Sequence, residues 1–140
     1  MVINDFGAIR TMIFSFMHLD EKCGGIEWQK VEDIQEASQY VEWIMTGQYF
    51  KPLILRFDFS QKGDRYSMAT FSKQFNALHA FWKDEFVLDG LQLIPSLNGM
   101  KYSEFDRSLQ RRIEELSVEC RVITTGNAEV AAHFGKMLSA

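Results

Sequence analysis

The chain has 140 residues, 46% of them hydrophobic, with twelve Phe, three Trp, only two Pro and a formal net charge of −4. That length suits one domain that buries a core without staples, and that composition excludes a disordered chain. The densest basic group, Arg107, Arg111 and Arg112, is interleaved with Glu104, Asp106, Glu114 and Glu115; it reads as a solvated helix face and excludes a general nucleic-acid surface, which needs clustered Lys and Arg.

Taken in order, the first segment suits helix or strand, and "RTMIFSFMHL" reads better as a first strand, with Phe14 and Phe16 on one face and Thr11 and Ser15 on the other. Gly24 and Gly25 signal a turn, and Ile26 to Trp28 read as a short second strand. Asp33 caps a first helix, with Glu36 three residues on, a stripe of Ile34, Ala37, Val41, Ile44 and Met45, and Gly47 at its stop. After Pro52, "LILRFDFS" alternates as a sheet strand, with Leu53, Leu55, Phe57 and Phe59 on the apolar face. Ser67 then caps a helix striped by Met68, Phe71, Phe75, Leu78 and Trp82. "LQLIPSL" reads as a short buried strand near an edge, because Pro95 limits its pairing. Ser103 with Asp106 opens a further helix striped by Phe105, Leu109, Ile113 and Leu116. "RVIT" is the last strand, and a helix carrying Val130, Phe134 and Leu138 closes the chain. Strands alternating with helices imply βαβ units and a mostly parallel sheet. The expected fold is therefore one α/β domain over 1–140, with four or five strands and about four packed helices.

Few patterns carry chemistry. "TTGN" between the last strand and helix has the look of a phosphate loop, in which backbone N–H groups at a helix N-terminus face an anion. Ile123 and Ala128 stand where further hydroxyls would be needed, and Glu129 would repel a phosphate. The segment therefore reads as a fold feature, with Asn127 capping the helix and Glu129 complementing its dipole. No Cys/His cluster with zinc spacing is present, so no metal or cofactor is expected. Cys23 and Cys120 read as two reduced thiols in a cytoplasmic protein. The apolar run around "MIFSFM" is far short of the ~20 residues that cross a bilayer and lacks a signal-peptide cleavage site. Tyr40, Trp43, Tyr49 and Phe50 cluster near the end of the first helix, as core or as a partner- or lipid-facing patch.

Element order and one spacing resemble the STAS domain, the fold of bacterial anti-sigma-factor antagonists and of sulfate-transporter tails, from about Phe14 to Leu138. Phe57, Asp58, Phe59 and Ser60 stand at that family's Leu-Asp-Leu-Ser positions, and Tyr66-Ser67-Met68-Ala69 at its Asp-Ser-Ser/Thr-Gly segment. Of that segment only the hydroxyl of Ser67 is kept. The resemblance implies a non-enzymatic regulatory module that binds a partner protein, a kinase or a regulatory factor, through Asp58, Ser60, Tyr66, Ser67 and Met68. Ser67 is the candidate phosphoacceptor, since a phosphate of charge about −2 at a helix start could gate that surface. A homodimer is compatible with this reading. The bland alternative is that Ser67 is only a helix cap. Two further functions stay open: a small-ligand or lipid binder using an apolar pocket, and an enzyme using Cys23 or His18.

Overall fold

The computed structural model describes residues 9–23, 26–47, 51–57, 65–124 and 127–139. The chain is mixed α/β, and its residues group into two compact units.

The first unit holds the sheet. Its elements are β1 (Ile9–Ser15), α1 (Phe16–Lys22), β2 (Leu53–Phe57), β3 (Tyr66–Met68), β4 (Ser117–Ile123) and α5 (Ala128–Ser139). Strand order is β1-β4-β2-β3. β2 and β4 run parallel, whereas β1–β4 and β2–β3 are antiparallel. The mostly parallel sheet expected from the alternating elements is thus corrected to a mixed one. The reason is local. β3 follows β2 after a short polar connection and pairs straight back onto it, which needs no helical crossover. Ser67 lies within β3, and the helix cap falls five residues later, where Ser72 Oγ accepts the Phe75 N–H at 3.1 Å. The expected capping role of Ser67 is corrected accordingly.

Register assigns the two faces of the sheet. Met12, Phe14, Leu53, Leu55, Phe57, Tyr66, Met68, Val118, Cys120 and Val122 share one of them. Tyr66 is buried there, its hydroxyl on the Met12 sulfur at 3.9 Å and its ring edge-on to Phe14 and Phe57. The first strand ends earlier than the β-forming run suggests, because Ser15 Oγ accepts the His18 N–H and starts α1 at Phe16. α1 buries Phe16 and Leu19 completely and ends at Cys23, which bridges Tyr66 on the outer side of β3. The opposite face carries Ile54 and Ile123, covered by Phe134 and Leu138 of α5.

The second unit is helical. It holds α2 (Ile34–Met45), α3 (Lys73–Trp82) and α4 (Arg107–Glu114), with two short 3-10 turns in the long connection between α3 and α4. Asp33 caps α2 as its spacing predicts, accepting the Glu36 N–H at 3.0 Å. Asp106, rather than Ser103, caps α4. Neither expected extra strand forms: Ile26–Trp28 and "LQLIPSL" are both irregular, and Pro95 opens a 3-10 turn. Side chains take up the backbone groups that a sheet would have paired. Asn76 grips Gln29 with both amide atoms, donating to its carbonyl at 2.9 Å and accepting its N–H at 3.0 Å. Buried Glu42 accepts the N–H groups of Leu93 and Ile94, and buried Ser38 that of Asp89. Phe81 packs among Phe86, Tyr102 and Phe105 in the core of this unit.

Candidate functional site

Ser67 sits in the middle of β3 and directly opposite Arg56 of β2. Its neighbours Tyr66 and Met68 point to the other face of the sheet, Tyr66 into the core at 5% exposure. Of the residues the sequence singles out around this segment, the structure therefore separates Ser67 from Tyr66 and Met68. Asp58 and Ser60 lie outside the described residues.

The face bearing Ser67 is polar and cationic next to its apolar patch. Arg56 is exposed and forms no ion pair among the described residues. Arg121 of β4 lies level with Ile54, two residues along β2 from Arg56, and so points to the same face. Its Nη2 is 3.9 Å from Glu119, and its Nε is shielded from water without an acceptor. Directly opposed antiparallel residues have Cβ atoms about 5 Å apart. A hydroxyl at Ser67 thus lies within reach of a guanidinium with spare donors, the arrangement that holds phosphate or carboxylate by charge-assisted hydrogen bonds.

β2 and β4 are parallel neighbours with Arg56 level with Ile123, so both strands end on the same side of the sheet. In open α/β sheets that carboxyl end is where ligands bind. Phe57 and Ile123, which precede the two stretches the sequence singles out, therefore end neighbouring strands, although they are far apart in the chain. "TTGN" does end as a helix start: Asn127 Oδ1 accepts the Val130 N–H at 3.0 Å.

The remaining candidates are dispersed. His18 stacks on Phe14 with ring centroids 5.9 Å apart. Burial, reinforced by the charge of Asp20, pushes the Cys23 thiol up to about 12, and Cys120 is pushed up to about 12 chiefly by burial. A thiol so raised is a neutral, poor nucleophile at neutral pH. Among the described residues no group of three or more His, Cys, Asp or Glu could hold a metal ion, and no helix is long and apolar enough to cross a membrane. In the helical unit, a cavity of about 330 Å³ opens at the C-terminal ends of α2 and α4, floored by Ile44, Ile113 and Leu116 and rimmed by Gly47 and Arg112. Arg112 donates to the Met45 carbonyl there at 3.2 Å. Tyr40 and Trp43 of α2 meet edge to face, and Trp43 is 38% exposed, while Tyr49 and Phe50 lie outside the described residues.

Sequence reasoning missed Arg56 and Arg121, because a single Arg inside an apolar strand looks like an outward-facing residue. Only the strand order shows that the two share a face. The chain matches no family model, no curated protein and no solved structure.

Proposed function

We propose that this chain is a non-enzymatic interaction module that binds a partner protein through the sheet face around Ser67. The observation that carries the reading is the pairing of Ser67 with Arg56, a half-buried hydroxyl opposite an exposed guanidinium that forms no ion pair among the described residues. In the unmodified chain Arg56 is available to an acidic group of the partner. A phosphate or carboxylate on Ser67 takes the same guanidinium for itself, so modification closes the surface through a charge-assisted bond. This gating needs no helix dipole, which suits a serine placed in a strand. Resemblance to STAS domains supports a regulatory partner such as a kinase or a regulatory factor.

Affinity purification with the full chain as bait tests the reading. Ser67→Glu and Arg56→Glu each lose the partner retained by the wild-type chain, while circular dichroism stays unchanged. Identical partners at identical affinity in both variants would sink it.

The cavity at the ends of α2 and α4 favours a second reading, a small apolar ligand. Its volume of about 330 Å³ lies at the lower end of the range of ligand pockets, roughly 300–1,000 Å³. Native mass spectrometry of freshly purified protein decides it: retained mass that Ile113→Trp removes supports a ligand, and bare protein alone removes the reading.

A further inference from the structure

β1 is one edge of the sheet, and among the described residues only β4 pairs with it. It presents seven residues with continuous register and no bulge, and it contains neither Pro nor Gly. Arg10 is its one charge, near one end. Natural edge strands carry Lys, Pro, bulges or inward charges that block pairing with another chain; this one has none of these over 11–15. Its Ile13 is 69% exposed, the highest value among the large exposed hydrophobic side chains of the described residues.

We propose that β1 pairs antiparallel with β1 of a second copy of this chain, joining the two sheets edge to edge about a two-fold axis at Met12. The sequence selects this occupant. A two-fold axis perpendicular to the sheet keeps each face on its own side, so residues of equal parity must oppose one another. Centring the axis on Met12 overlaps all seven residues: Ile9 opposes Ser15 of the second copy, Arg10 opposes Phe14, and Thr11 opposes Ile13. The two Arg10 side chains then lie far apart, whereas parallel pairing in register would place them side by side. Charges one strand inward fall in complementary order. Glu119 is the β4 partner of Ile13 and Arg121 that of Thr11, so each row across the joint reads Glu119, Ile13, then the second copy's Thr11 and Arg121. Each exposed Ile13 gains a methyl-bearing neighbour, with opposite charges at the two ends of the row. The joint lies at the opposite edge of the sheet from β3, so it stands independently of the function proposed for Ser67 and leaves both Ser67 faces outermost.

One strand pair buries little area beside the ~1,200–2,000 Å² of a stable interface, so the dimer forms reversibly with concentration. Sedimentation velocity of the full chain over a concentration series tests this. The wild-type chain passes from monomer to dimer and no further. Ile13→Lys raises the dissociation constant by about tenfold or more, while Met137→Lys, an exposed change on α5, leaves it where it was. Register is tested by oxidation: a mixture of Thr11→Cys and Ile13→Cys chains gives a crosslinked heterodimer in higher yield than either chain alone. A wild-type chain that remains monomeric to its solubility limit, or a dimer indifferent to Ile13→Lys, would overturn the proposal.

Discussion

Glu42 holds Leu93 in place: its Oε2 accepts the Leu93 N–H at 2.8 Å, although the two residues are 51 positions apart. The same oxygen accepts the Ile94 N–H at 3.0 Å. Glu42 is only 2% exposed, so an acidic residue inside α2 serves as the backbone partner of a segment on another part of the chain. This explains why "LQLIPSL" forms no strand. Its N–H groups at 93 and 94 are already taken, Leu91 is paired in both directions by the side chain of Asn98, and Pro95 has no N–H to offer.

Glu42→Ala is expected to cost about 3 kcal/mol in urea denaturation, since it leaves buried N–H groups without an acceptor. Glu42→Gln keeps one acceptor oxygen and costs about 1 kcal/mol. Equal small effects for both variants would show that water replaces the carboxylate.

How much of this was legible in the sequence depends on how local the cause is. The caps at Asp33 and Asn127 follow from two residues at fixed spacing, and both are seen. The alternation in Leu53–Phe57 likewise survives as β2. The Ser67 cap misleads because Ser67 and Ser72 both offer good caps, and what separates them is the pairing of Tyr66–Met68 with β2. Strand direction was illegible for the same reason: a short strand between two long elements is easily read as the first turn of a helix. Glu42 did leave a trace, a carboxylate between Val41 and Ile44 on an otherwise buried helix face. A charge in that position requires a partner, but nothing local names Leu93.

Glu114 makes the chain sensitive to acid. Arg107 holds it with two guanidinium nitrogens, the second at 3.1 Å, and the Tyr102 hydroxyl donates to it at 3.0 Å. The Arg107 contact holds the Glu114 carboxyl below its usual range, outweighing the opposing effect of burial. A depressed folded value means that the contribution is complete above the ordinary glutamate pKa of about 4.3 and is lost as pH falls through the lower folded value. The stability gap between wild type and Glu114→Gln should therefore be constant from neutral pH to about 5 and close below about 4. A gap that persists unchanged to pH 2 would contradict the pairing.

The alkaline side gives an independent readout of the same cluster. Burial first, and then Glu114 through its hydrogen bond and charge, push the Tyr102 phenol up to about 12. A raised value stabilises the folded chain below the ordinary tyrosine pKa of about 10, and that contribution is lost as pH rises toward 12. Phenolate absorbance, taken as the difference between wild type and Tyr102→Phe, should titrate late. In a Glu114→Gln background the same difference should titrate earlier, while still above an exposed tyrosine because burial remains. No displacement between the two backgrounds would remove Glu114 as a cause.

Asp84 ends α3 in a left-handed conformation, with φ at 61°. The Asp84 N–H donates to the Phe81 carbonyl and the Glu85 N–H to the Ala80 carbonyl, the two reverse bonds that usually close around glycine. Its carboxylate recovers part of the conformational cost by accepting the Ser103 N–H at 2.9 Å. Asp84→Ala loses the contact and keeps the strain, a loss of about 2 kcal/mol. Asp84→Gly loses the contact but relieves the strain, so it should fall within about 1 kcal/mol of wild type. Thermal denaturation that ranks Ala above Gly would mean that strain is not what this position resists.

Thiol chemistry separates an interaction module from an enzyme that uses Cys23. With its thiol raised to about 12, Cys23 carries almost no thiolate at pH 8, and Cys120 is equally quiet. Iodoacetamide should then modify the native chain about 100-fold more slowly than the urea-unfolded chain, in which both thiols return to ordinary values near 8.5. His18 offers no remedy as a base where it stands, against Phe14 one turn before the end of α1. Native alkylation of Cys23 at the unfolded rate, and its abolition by His18→Ala, would instead mark an activated nucleophile and shift the functional reading from the Ser67 face to α1.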